Sequence, residues 1–487
     1  MNKKFIVSLI IAFLVGLAVF LFILTKAHVS SFTHDESYTY NFYVHSSFMD
    51  ILSHKNSYTN NHLLNTLLMK YSEMLFGSSE LALRLPNLIM YLVFCVYLFL
   101  LFKRSDPWLR LSVFIIIIAN VGLIDFFGLA RGYGISIGFM VMSLYHLVQS
   151  FYSKNKIHLL LFNLAALMAI LGNFTLLDYY LAAILTFNCI KFYEYRFVSK
   201  KQFNFYDVNK INLLLFLFMF IVLYEPVRRV VTFNQFDFGG TTGFMNDTLQ
   251  ALVITVFSHT HIGAVETVII KALILLLLTI PLLIIMKQIY NRKTEFFEEN
   301  KPLIIVNLIL IAIFVEIIMQ HLLLKTDYLI GRFALFLFPL FIINMGFFLE
   351  YSLKFKVRNG ILTAGILVAM LSASNFYRHA DLYSCAEWGY DMETKNAMKA
   401  LTAWHEQDGT KQENVKLGIN WLFEPAINFY RTTWNINWLL PVDRKALTTT
   451  SDYYYVFKSD LENLKLKNYK IIFSSDNTNT VLVKNDL

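Results

Sequence analysis

Residues 6 to 25 read IVSLIIAFLVGLAVFLFILT, without a single charge. A helix needs about 20 mostly apolar residues to cross the hydrocarbon core of a bilayer, so this stretch predicts a membrane span. The rest of the chain agrees with it. The 487 residues are 56% hydrophobic and only 16% charged, with a mean hydropathy of +0.52, whereas an ordinary soluble domain carries about 25% charge. A soluble enzyme with an oversized core is excluded. Of the three cysteines, Cys95 and Cys189 lie inside apolar runs and Cys385 stands alone, so neither a disulfide framework nor a thiolate metal site can be built.

Working outward from this run, apolar stretches predict eleven spans, at roughly 5–25, 85–102, 111–127, 134–151, 157–172, 175–190, 211–227, 267–286, 303–324, 331–349 and 359–375. The expected fold class is therefore a polytopic α-helical membrane protein. The net charge of +8 is distributed by side. With the Lys3-Lys4 end cytoplasmic, the segments on that side hold 19 lysines and arginines against 7 acids, and the opposite segments carry a slight acidic excess. That is the positive-inside pattern, so the basic excess sets orientation and is no sign of nucleic acid. The first run is longer than a signal-peptide core and no Ala-x-Ala site follows it, which reads as a retained anchor.

Two parts are expected: a membrane part, 1–376, and a small extracytoplasmic α/β domain, 377–487. The external loop 26–84 is far longer than a connector requires and carries its own helix signals, Ser46 to Leu52 and Asn61 to Phe76, the latter stopped by Gly77. Arg84-Leu85-Pro86 reads as the opening of span two, with proline in the first turn. A second long loop, 228–266, has a surface-helix signal from Asp247 to Phe257 and could act as a lid. In the tail, helices are expected near 392–404 and 425–430, and strands near 415–419, 453–457, 470–473 and 480–483. The tail holds five of the six tryptophans. Exposed tryptophans commonly stack on sugar rings, while Trp404 and Trp421 fall in helix and strand patterns and read as core.

Thr33-His34-Asp35-Glu36 puts two adjacent carboxylates just past the first span. They repel one another beside lipid, which would make one of them hold its proton more tightly and suit it as a general base; a solvated turn or helix N-cap is the alternative. Asn60-Asn61-His62, with Asn65, opens a surface helix, offering either hydrogen bonds to sugar hydroxyls and phosphate or simple capping. Ala130-Arg131-Gly132-Tyr133-Gly134 sets a guanidinium between glycines, suited to bidentate phosphate binding or else to snorkelling with Asp125 as anchor. Lys325, Asp327, Tyr328 and Arg332 stand at the external mouth, so that Arg131, Lys325 and Arg332 make three cations expected on one face. Glu316 and Gln320 lie at membrane depth, where a polar group is a functional candidate unless it merely pairs with Lys325 or His321. His259 and His261 make a weak metal candidate, and Lys200-Lys201 reads as a lipid-headgroup patch.

The order of these motifs resembles the GT-C glycosyltransferases: an external Asp-Glu after the first span, Asn-His opening a surface helix, Arg-Leu-Pro before span two, Ala-Arg-x-Tyr before span four, and a late Tyr-x-x-x-Arg-Phe before Pro339. The resemblance covers residues 5 to 375 and is nearest the protein O-mannosyltransferase and lipid A aminoarabinose transferase branch. One departure is His62-Leu63-Leu64, where that family often has a basic residue followed by Pro-Pro. The resemblance implies a polyprenyl-phosphate sugar donor, transfer with inversion outside the cytoplasm to a protein or glycolipid, and residence in a bacterial inner membrane with the N-terminus cytoplasmic. It carries the catalytic aspartate onto Asp35, with Glu36 beside it. Asn61, His62, Arg131, Tyr133, Lys325, Tyr328 and Arg332 are then expected around the donor phosphate and sugar. A divalent cation is left open, and the tail is expected to position the acceptor without joining the chemical step. Two other readings are a lipid transporter or flippase, which would show paired half-repeats and broken midplane helices, and a polysaccharide polymerase or ligase.

Overall fold

A computed structural model describes residues 3–55, 61–153, 155–233, 239–258, 260, 262–407, 413–445, 447–464, 466 and 468–485. Helix α1 (Lys3–Val29) has 27 residues and at about 1.5 Å per residue outreaches the hydrocarbon core. Outside the membrane follow α2 (His34–Thr39), α3 (Phe48–Leu52) and α4 (Leu63–Phe76). Gly77 ends α4 at a φ of 83°, a left-handed conformation that suits glycine.

Next in the chain come α5 (Glu80–Leu101), α6 (Pro107–Ile118) with the short α7 (Val121–Asp125), α8 (Gly132–Ser150), α9 (Ile157–Gly172), α10 (Leu176–Tyr193) and α11 (Phe205–Thr232). After α12 (Thr248–Val256), which was expected on the surface but is mostly buried, come α13 (Ala264–Tyr290), the short α14 (Thr294–Glu299), α15 (Lys301–Leu324), α16 (Leu337–Ser352) and α17 (Arg358–His379). Among the described residues seven helices are long and apolar enough to cross a membrane. Phe13 and Leu14 on α1, Leu214 and Ile221 on α11, and Val268 and Leu283 on α13 all point outward. A soluble protein rarely exposes apolar surface on this scale, so lipid covers it and the protein is an integral membrane protein.

Two expected boundaries differ. The run 111–127 is not one helix. Asn120 breaks it, its side chain accepting from the Leu123 N–H at 2.9 Å to cap α7 and donating to the Thr255 carbonyl at 2.6 Å; an amide that serves its own backbone competes with helix continuation. Pro86 is not in a first turn either, because Ser79 caps α5 from Glu80 onward. The proline removes the N–H that would bond the Ala82 carbonyl, and the Ser72 hydroxyl donates to that carbonyl instead, at 2.5 Å.

Beyond His379 lies a four-stranded sheet, β1 (Leu417–Ile419), β2 (Tyr453–Phe457), β3 (Tyr469–Ser475) and β4 (Thr480–Asn485), in the order β1-β2-β4-β3. β1 runs parallel to β2, and the other pairs are antiparallel. Helices α18 (Thr394–Gln407), α19 (Glu424–Thr433) and α20 (Lys458–Leu464) complete it. This segment shares one apolar cluster with the external loop: Phe32, Tyr40, Met69 and Leu83 pack with Phe423, Ile427, Phe429 and Tyr430. Phe32 stacks on Phe429 at 4.2 Å between ring centroids. Trp404 is half-buried, but Trp421, expected in the core, is 52% exposed.

Candidate active site

The first turn of α2 sets the two adjacent carboxylates on different faces of a helix, because successive residues are about 100° apart. Glu36 points inward and is fully buried. It closes a capping box, accepting from the Thr33 N–H and hydroxyl, both at 3.0 Å. It also forms a two-point pair with Arg84, Nε to Oε1 at 2.8 Å and Nη2 to Oε2 at 2.7 Å, and accepts from the Ala130 N–H at 2.6 Å. Arg84 spends its remaining donors on the Ala27, Ser30 and Ser31 carbonyls and the Ser30 hydroxyl. No capacity is left for a substrate, so the expectation of Glu36 in catalysis is corrected: it fastens α2, α5 and the turn before α8 to the end of α1.

Asp35 points the other way. Its Oδ2 lies 3.2 Å from Arg131 Nη2 and 3.4 Å from Arg332 Nη2. Arg131 is buried and also donates to the Asp35 carbonyl at 3.3 Å and the Thr39 hydroxyl at 3.2 Å. Arg332 is partly open, and its guanidinium lies 4.9 Å from the Trp388 ring centroid and 5.9 Å from that of Tyr133. The Arg131 turn depends on close backbone approach. A Cβ on Gly132 would stand 1.9 Å from the Gly172 carbonyl, and one on Gly134 would stand 2.5 Å from that of Phe126, which only glycine avoids. Asp125 does not anchor Arg131; it pairs with Lys26 at 2.6 Å.

His62 meets Tyr133 edge-on at 4.7 Å. Burial, with Arg131 and Arg332 adding to it, pushes the imidazole well below its usual range, so the ring is neutral. Its Nε2 has no partner among the described residues. The Asn61 Oδ1 accepts from the Thr66 hydroxyl at 2.7 Å. Asn65 donates to the Ala130 carbonyl at 2.8 Å and so holds the arginine turn, while Asn60 lies outside the described residues.

The third cation is a correction. Lys325 is exposed, caps the C-terminus of α15 in a left-handed conformation, and forms no ion pair with a described residue. Tyr328 is also elsewhere, stacked on His321 at 4.2 Å and bridged to Gly240. Gln320 pairs with neither Lys325 nor His321: it donates to Asp178 at 2.7 Å, and His321 meets the Thr326 carbonyl. As for a metal, His259 and His261 lie outside the described residues. Among the described residues no group of three ligating side chains comes together, and one carboxylate between two guanidinium groups is a poor seat for a divalent cation.

Four residues of the C-terminal segment join the cluster without having been singled out as candidates. Glu387 accepts from Arg332 at 3.3 Å, and Trp388 lies under the same guanidinium. Asp391 accepts from the His34 N–H at 2.6 Å and the Thr394 hydroxyl at 3.1 Å, capping the turn that presents Asp35. Burial drives the Asp391 carboxyl well above its usual range, against those hydrogen bonds. The Leu422 carbonyl meets His34 Nδ1 at 2.7 Å. The segment is thus built into the site and does not merely cover it. The run Glu387-Trp388-Gly389-Tyr390-Asp391 directly after the last span was the available signal.

No protein-family model matches this sequence, and no curated protein does. Among solved structures, ArnT from Cupriavidus metallidurans in the apo state aligns over 98% of this chain and 97% of its own, with a TM-score of 0.51 and 12% identity. ArnT from the same organism bound to undecaprenyl phosphate aligns over 98% of each chain with a TM-score of 0.49 and 11% identity. At such identity the first likeness is one of fold, and the chain has the fold of ArnT, a lipid A aminoarabinose transferase of the GT-C glycosyltransferases.

Proposed function

We propose that the protein is an inverting glycosyltransferase that moves a sugar from a polyprenyl-phosphate donor to an acceptor outside the cytoplasm. The observation that carries this reading is Asp35, a carboxylate in contact with two arginines a few residues beyond the end of a membrane helix. A lipid phosphate rides at that level, and the fold shared with ArnT supports the reaction class.

Transfer from a lipid phosphate needs a base but no acid. The acceptor hydroxyl gives its proton to the Asp35 carboxylate as its oxygen forms a bond to the anomeric carbon. The bond from that carbon to the phosphate oxygen breaks on the opposite face, and its electron pair leaves with the polyprenyl phosphate. Arg131 and Arg332 stabilise the charge gathering on the phosphate, an effect larger in a dry site than in water. Tyr133 and neutral His62 line the sugar side, His62 through its free Nε2. Glu36, Asn61, Lys325 and Tyr328 have no part in this account.

The same reading divides the chain into a membrane part, 1–376, whose shorter helices complete eleven crossings, and an extracytoplasmic part, 377–487. The N-terminus is cytoplasmic and the membrane is the bacterial inner membrane. Mass spectrometry of glycoconjugates from a deletion strain carrying wild type or Asp35→Asn tests it. A sugar missing in the deletion should return with wild type and stay missing with Asp35→Asn; its return with Asp35→Asn would overturn the reading.

A further inference from the structure

On α2, His34, Tyr38 and Asp35 fall within one arc of about 100°, and the face they share does not end at the helix. Tyr38 continues into Phe42, 4.5 Å away between centroids and 48% exposed. Across from them stands Trp421, 52% exposed, edge-on to His34 at 6.2 Å. The Arg444 guanidinium bridges the two walls, 5.5 Å from the Tyr38 ring and 5.6 Å from that of Trp421, and is held by Glu424 at 3.2 Å. Trp421 is not a loose side chain. Asn420 caps its turn, accepting from the Leu422 N–H at 3.2 Å, and is itself tied to Asp460 at 2.8 Å. Past Phe42 the row opens into a cavity of about 240 Å³ between the external loop and α19, lined by Asn41, His45, Asn428 and Arg431 among others. Arg431 Nε has no partner among the described residues.

We infer that this cleft is the acceptor subsite, and that it takes an acidic saccharide, one ring on the exposed face of Trp421 and an anionic substituent at Arg431. The inference rests on the glycosyltransferase reading, since it supplies the hydroxyl that Asp35 deprotonates. Rigid aromatic faces present a flat apolar surface to the C–H face of a sugar, and guanidinium groups recognise phosphate or carboxylate. One wall comes from α2 and the other from the C-terminal segment, and the two share a core.

The test uses the full chain in a strain lacking the gene, reading the glycoconjugate that deletion alters, together with binding of undecaprenyl phosphate by the purified proteins. Trp421→Ala and Arg431→Ala should each lower modification of the native acceptor about tenfold or more at limiting acceptor, a difference of about 1.4 kcal/mol. Trp421→Phe, which keeps a ring face, should recover most of the loss, and undecaprenyl phosphate binding should stay at the wild-type level in all three. Unchanged modification in Trp421→Ala and Arg431→Ala would overturn the subsite. So would a loss matched by loss of undecaprenyl phosphate binding, which would make the rings a membrane-seating surface. If Asp35→Asn abolishes modification while Trp421→Ala does not, the subsite fails and the enzyme reading stands; the reverse pattern keeps the subsite and removes Asp35 as base.

Discussion

Two ionic centres stand side by side on α2, and they are built for opposite purposes. At Glu36 and Arg84 both partners are fully buried and every strong donor is matched. At Asp35, Arg131 and Arg332, one carboxylate oxygen faces two guanidinium groups, and Arg332 remains partly open. The closed centre is a rivet and the other is the proposed site. Adjacency in sequence says nothing about which is which; the direction each side chain leaves the helix decides it.

The largest effect should come from breaking the closed centre. Arg84→Ala or Glu36→Gln leaves a buried partner uncompensated, which costs about 3–5 kcal/mol. Either variant should lower the melting temperature of the detergent-purified protein sharply and take activity with it. Retained stability would erase the contrast between the centres.

Next comes the open centre. Arg131→Lys keeps the charge but loses the planar fork, so its transfer rate should fall about 10- to 100-fold, close to that of Arg131→Ala, with a smaller stability change than in Arg84→Ala. Wild-type rates in Arg131→Lys would make Arg131 a structural anchor.

Asp391→Ala removes the cap from the turn presenting Asp35. Loss of a cap costs about 1 kcal/mol, and transfer should fall with it, whereas Asp391→Asn, still an acceptor, should recover most of the rate. Equal rates in all three proteins would show that the C-terminal segment does not orient Asp35. The smallest effect belongs to Lys325→Ala, which should transfer at nearly the wild-type rate. A loss as large as that of Arg131→Ala would restore the third cation to the site.

What the sequence made legible is local. Apolar run length found the seven helices long and apolar enough to cross a membrane, Gly77 marked the end of α4, and the Asp-Glu pair drew attention to α2 because two carboxylates beside lipid are costly. What it hid is tertiary. Glu36 meets Arg84 48 positions away, and His34 meets Asp391 357 positions away; no period or motif encodes such a pairing. Arg131, at the start of α8, and Arg332, in the turn before α16, come together on Asp35, while Lys325, closer to Arg332 in sequence, is exposed. The break at Asn120 escaped because one amide in a long apolar run reads as tolerated unless its partner, the Thr255 carbonyl, is known. Trp421 escaped because exposure depends on what covers a strand end, not on the strand pattern.

We propose that Asp35 does the chemistry while its neighbour holds the fold. The most direct test is the transfer rate of Asp35→Asn, measured beside its melting temperature. Its melting temperature should stay near that of wild type and its rate should fall by about 10²- to 10⁴-fold, the range that a general base supplies. A stable Asp35→Asn protein that transfers sugar at the wild-type rate would contradict it.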